Sequence, residues 1–198
     1  MRKKCLCRKI NGPLLARSLE KSKKLPTGWR RNKSRKKMKS FDPAIYVSKC
    51  REIIKHNTIQ ALSKLGEECV KYVRDRTPEE SWKDHTGNLR SSVGYMVLYD
   101  GQPVQQGGFK PTTAPEGNGA QGRAEGEKFL KEVVTQISKE NSFSLVLVAG
   151  MNYADKVEAL ENKNVLAGAH LFAIEEWRYM EKALKDRIEK DINKIQIF

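Results

Sequence analysis

Asp84-His85-Thr86-Gly87-Asn88-Leu89-Arg90-Ser91-Ser92-Val93-Gly94-Tyr95, residues 84 to 95, decides the fold, because the period of the sequence changes there from helical to extended. Thr86 can cap a short turn of helix, its hydroxyl accepting from the amide of Asn88 or Leu89, while Gly87 lets the backbone bend without a Cβ clash. Leu89 then points into the core. From Val93 the pattern alternates, with Val93, Tyr95, Val97 and Tyr99 set against Gly94, Met96 and Leu98, and this predicts a strand that ends at the turn pair Asp100-Gly101.

Upstream of this hinge lies a long amphipathic helix, expected over about residues 44 to 76. Asp42-Pro43 supplies a cap and a first helical residue, and Ile54, Thr58, Leu62, Leu65, Cys69 and Tyr72 or Val73 recur every three or four residues. Thr77-Pro78 stops it. The apolar stripe reads as packing against a sheet. Downstream, Gln105 to Gly126 is rich in glycine and poor in apolar residues, and it reads as a long loop; no Gly-Lys-Ser/Thr ending makes it a phosphate cradle. Glu127 to Lys139 leans helical. Ser142 to Gly150, with the run Leu145-Val146-Leu147-Val148, is the clearest strand and is expected to be covered on both faces. Tyr153 to Leu160 extends or turns that strand, and Leu171, Ile174, Trp177, Leu184, Ile188 and Ile192 trace a second amphipathic helix.

Charge divides the chain unevenly. Residues 1 to 40 hold sixteen Lys or Arg and one acid, Glu20, a net of +15 against +14 for the whole chain, which leaves residues 41 to 198 at −1. With few apolar side chains of its own, this basic extension is expected to be disordered alone. Its densest cationic run comprises Arg30, Arg31, Lys33, Arg35, Lys36 and Lys37. Such a run suits contact with a polyanion, either DNA phosphate or an acidic protein face, with counterion release supplying the affinity; a solvated tail is the plainer reading. The chain has no apolar run long enough for a membrane span and begins without a secretion signal, so the sequence reads as a soluble protein made in the cytoplasm.

Chemistry is sparse. Cys5 and Cys7 sit in the extension, and Cys50 and Cys69 lie about 28 Å apart along one expected helix, so no zinc site follows and reduced thiols are expected. His85 beside Asp84 is the one acid-base pairing, without a third partner, and neither Ser91 nor Ser92 sits in a nucleophile elbow. No catalytic, cofactor-binding or metal residues emerge. Arg90, on the first turn of a helix, can hold an anion or form an intramolecular ion pair, with Glu158 as a candidate partner; the ion pair is preferred.

Thr86-Gly87-Asn88-Leu89-Arg90-Ser91-Ser92, preceded by a helix that ends in Arg76-Thr77-Pro78, resembles the tail-completion or neck proteins of tailed bacteriophages. Met151-Asn152-Tyr153-Ala154-Asp155-Lys156-Val157-Glu158 is similar to the Tyr-Ala-x-x-Val-Glu that follows in this family, although Ala159-Leu160-Glu161-Asn162 stands where the family has a glycine. The likeness spans about residues 44 to 192. It marks Thr86, Gly87, Leu89, Arg90, Tyr153 and Glu158 as structural motif positions. It implies a structural virion protein, no enzyme and without cofactors, that forms a ring between portal and tail around the exit path of the genome. Its expected partners are copies of itself, a portal or adaptor protein and tail proteins, with genomic DNA as a further contact of the basic extension and no membrane. The expected architecture is α+β: a long N-terminal helix and a C-terminal helix on a small, mainly antiparallel sheet. The rival reading is a nucleic-acid-binding protein that acts through residues 1 to 40.

Overall fold

A computed structural model describes residues 4–10, 42–77, 81–137, 142–159 and 165–195. In chain order the elements are β1 (Lys4–Ile10), α1 (Pro43–Arg74), α2 (Asn88–Ser91), β2 (Val93–Tyr99), β3 (Gln102–Gly108), α3 (Ala120–Val134), β4 (Phe143–Ala149), α4 (Ala154–Ala159) and α5 (Ala167–Asn193). The four strands form one sheet in the order β1-β4-β2-β3, with every neighbouring pair antiparallel. The fold is α+β, with long helices near both ends of the described body.

Helix α1 starts where the sequence places it. The Asp42 carboxylate accepts from the Ala44 amide at 2.9 Å, and Pro43 takes the first helical position. Its apolar stripe, Leu62, Leu65, Cys69, Val70 and Val73, packs with α5 over one face of the sheet, against Val93, Tyr95 and Val97 of β2 and Phe143, Leu145 and Leu147 of β4. The alternate residues of the same strands, Met96, Leu98, Val146 and Val148, meet Leu130 and Phe109 on the opposite face. The molecule therefore has three layers: the α1–α5 pair, the sheet, and α3. Both central strands are buried on both faces, which is why β2 is apolar at nearly every position and not only at alternate ones.

Residues 105 to 126 do not form one long loop. Asp100 and Gly101 both have positive φ, 53° and 68°, and close a two-residue hairpin from β2 into β3. Strand β3 is polar because it is an exposed edge, with Pro103 and a register shift opposite Val97 and Leu98. At the other end α3 begins at Ala120, seven residues before the helical pattern at Glu127. Its early glycines serve close approach: a Cβ on Gly122 would stand 1.9 Å from the Asn88 carbonyl oxygen, and one on Gly126 would stand 2.5 Å from that of Ser92. Only residues 109 to 119 remain as connection. Tyr153 to Leu160 likewise contains a short helix, α4, in place of a strand extension.

Within the basic extension, Lys4–Ile10 is an edge strand whose register runs from Lys4 opposite Ala149 to Ile10 opposite Phe143. A run in which cations interrupt four apolar residues gives a weak strand signal, and the ladder offered by β4 supplies the rest. Expectations for the remainder of the extension, its disorder and its cationic run included, fall outside the described residues.

Candidate functional site

The two motifs of the sequence reading meet at one end of the sheet. The end of α1, the segment Ser81 to Thr86, the short α2, the return at 109 to 119 and the turn before α4 converge there. Gly87 adopts φ +73°, and a Cβ at this position would lie 1.9 Å from the Thr112 carbonyl oxygen. No other residue type fits that bend. The Thr86 hydroxyl accepts from the Asn88 amide at 3.3 Å, and the Thr86 carbonyl accepts from Gly119 at 3.2 Å. Ser91 Oγ accepts from the Thr112 amide at 2.8 Å, and Asn88 Oδ1 accepts from the Gly122 amide at 3.1 Å. Side chains of the 86–92 motif thus dock the return segment and α3, and Leu89 is fully buried beneath them.

Arg90 is committed inside this knot. Its backbone amide donates to Asp84 Oδ2 at 2.8 Å, its guanidinium donates to the carbonyls of Arg74 and, at 3.4 Å, of Trp82, and it lies 5.2 Å over the Trp82 ring. Burial pulls the Arg90 guanidinium below its ordinary range, opposed by the carboxylates of Asp84 and Asp75. The sequence reading expected an intramolecular ion pair for Arg90; its guanidinium instead donates to backbone carbonyls, and the carboxylates whose charges act on it are Asp84 and Asp75. Glu158 acts elsewhere: its Oε1 accepts from the Ala167 amide at 2.9 Å, at the start of α5, where the N-cap residue Leu166 has no side chain for the task. Arg74 donates to Thr112 Oγ1 at 2.8 Å and is likewise pulled down by burial, with Asp75 opposing and Arg90 adding to the fall.

Tyr153 completes the cluster. Burial raises its hydroxyl above the ordinary phenol range, and the nearby Asp84 carboxylate adds to the rise, while a hydrogen bond with Thr86 opposes it. Thr86, Gly87, Leu89, Arg90 and Tyr153 therefore share one knot, and Glu158 caps the helix that follows. Sequence reasoning missed Arg74, Trp82 and Thr112. Trp82, close before the motif, carried a local signal; Thr112 carried none, because its position depends on a hairpin read as loop.

His85 and Asp84 have different partners. His85 Nδ1 stands 3.5 Å from Glu116 Oε1, with both side chains more than 60% exposed, while Asp84 is bound to the Arg90 amide. Among the described residues no group of three or more His, Cys, Asp or Glu is placed to hold a metal, and no helix is long and apolar enough to cross a membrane. Cys50 and Cys69 are buried free thiols, and burial first, then Glu176 and Glu68, pushes the Cys69 thiol up to about 12.

On the outer face, a depression of about 580 Å³ lies between the end of α1 and Phe172, where Phe172 stacks on Tyr72 at 4.9 Å and Arg76 lies 5.5 Å over the Tyr72 ring. Elsewhere on α5, Leu171 and Tyr179 are each 70% exposed. Compared with family models, with curated proteins and with solved structures, the chain matches none of them. Arg30, Arg31, Lys33, Arg35, Lys36 and Lys37 lie outside the described residues.

Proposed function

We propose that the chain is a structural virion protein of a tailed bacteriophage, a subunit of the neck or head-to-tail connector ring through which DNA passes. One observation carries the reading: the two motifs that resemble this family, far apart in the chain, pack together around Tyr153 and Thr86. Their polar groups hold backbone segments together, as suits a scaffold. The exposed Leu171, Tyr179, Ile45 and Val47 offer apolar side chains to neighbouring proteins. In this role the protein is no enzyme and needs no cofactor; it is made in the host cytoplasm and ends in the neck of the virion. Its partners are further copies, a portal or adaptor protein and tail proteins, and the cationic run Arg30 to Lys37 touches an acidic face or the genome.

The test is the solution mass of the purified chain at low and high salt, with and without a portal ring. A ring, or a monomer that assembles only on portal, supports the reading. A second reading, nucleic-acid binding through residues 1 to 40, is favoured by the confinement of the net charge to that segment. It expects a monomer indifferent to portal whose DNA affinity falls steeply with salt and vanishes when residues 1 to 40 are deleted.

A further inference from the structure

The two edges of the sheet are built differently. Strand β3 carries the devices that keep an edge from accepting another strand: Pro103, a register shift and polar, exposed residues. At the other side the edge strand is β1, and β4 beneath it is the opposite of β3: Phe143-Ser144-Leu145-Val146-Leu147-Val148-Ala149, buried at all seven positions. Among the described residues its outer edge is covered by β1, and β4 is the one element that β1 lies against extensively. Between Ile10 and Asp42 stand residues 11 to 41, a connection far beyond the two to six residues or so that usually join elements. At roughly 3.4 Å per residue, that much chain can reach on the order of 100 Å.

We propose that β1 is an exchange arm: in the assembled protein, Lys4–Ile10 of one copy pairs with the β4 edge of a second copy of this chain. The incoming strand makes the ladder that the resident one made, from Lys4 opposite Ala149 to Ile10 opposite Phe143, so exchange leaves the backbone pairing unchanged. It costs only the association of two copies, which a ring repays by holding neighbours at high local concentration. A partly cationic edge strand, whose extensive backbone contacts among the described residues are with β4, is the piece that can move without dismantling the core. Passed from each copy to the next, the arm is a head-to-tail link, and the guarded β3 edge keeps the sheet from growing on its other side. The inference rests on self-association of the chain, not on its origin in a phage.

Lys9 and Ser144 stand opposite each other in the β1–β4 register, within reach of a disulfide if both become cysteine. The experiment takes full-length chain with Cys5→Ser and Cys7→Ser, and adds either Lys9→Cys or Ser144→Cys to separate samples. These are mixed, assembled and oxidised, and a chain carrying both substitutions serves as control. Exchange expects a covalent pair of twice the 22.6 kDa chain mass, joined through positions 9 and 144 by peptide mapping, in the mixture and in neither sample alone. No such pair, whether the doubly substituted chain closes on itself or stays reduced, overturns the proposal. Light scattering on the same samples separates the two readings: a ring without the linked pair defeats exchange and leaves the connector role standing. A linked pair without a ring does the reverse.

Discussion

At Gly87 a single dihedral angle holds two chain segments together. Gly87→Ala must force a left-handed alanine, at about 1–2 kcal/mol, and also push the Thr112 carbonyl away, so a loss of about 2–4 kcal/mol is expected in urea unfolding. Arg90→Met leaves the Arg74 and Trp82 carbonyls without their donor and should cost about 1–3 kcal/mol, with Arg90→Lys recovering only part, because an ammonium cannot span both oxygens and lie flat on the Trp82 ring. Cys69 gives a pH signature. Its thiol rises from 9.0 to about 12 on folding, so the unfolded chain loses this proton first; stability is full below about pH 9 and falls as pH climbs toward 12. Tyr95, raised by burial and by Glu67, adds to the fall in the same direction. Thermal midpoints between pH 8 and 11 should show this decline, with a shallower slope in Cys69→Ala. Gly87, Leu89 and the Thr86 cap were legible from sequence because each acts within a few residues of itself. The partners of Arg90 were not, since they are backbone carbonyls, which any residue supplies and no sequence pattern marks.

Among the elements, α5 has an unusual start. Its first turn is capped by Glu158 from the preceding α4, so Glu158→Ala should lower the urea midpoint by an amount equivalent to about 1 kcal/mol, and Glu158→Gln, which keeps an acceptor, by less. A loss in the glutamine variant equal to that in alanine would mean that charge, not hydrogen bonding, does the capping. The long helices α1 and α5 and the strands β2 and β4 were readable from periodicity, because burial against a sheet imposes it. Strand β3 and the start of α3 were not. Gln102 to Gly108 is an exposed edge with no apolar pattern, and Gly119 to Gly126 uses glycine for close packing where composition suggests freedom. Polarity and glycine mark loops only when no neighbouring element sits within touching distance.

For the whole molecule, the sheet edge is the point of vulnerability. Deleting residues 1 to 10 should leave α1, α5 and the other three strands able to fold, with a lower melting temperature and concentration-dependent association through the bare β4 edge. Circular dichroism with light scattering would read both effects; an unchanged melt without association would mean that β1 contributes no cover. Shape carries a further consequence. Helix α1 has 32 residues, but its contribution to the sheet-facing core is concentrated from Ile59 onward, and near its start Ile45 and Val47 are exposed. Residues 43 to 54 span about 18 Å of this helix and are held in place: Cys50 and Ile54 are buried, Lys55 lies 4.7 Å over the Tyr99 ring, and Asn57 donates to Asp191 of α5. Joined rigidly to the sheet in this way, the helix acts as a lever: turning the sheet by about 10° sweeps its exposed tip, about 18 Å away, through about 3 Å, two residues' worth of helical rise. Small rotations between neighbouring bodies would be magnified at that tip.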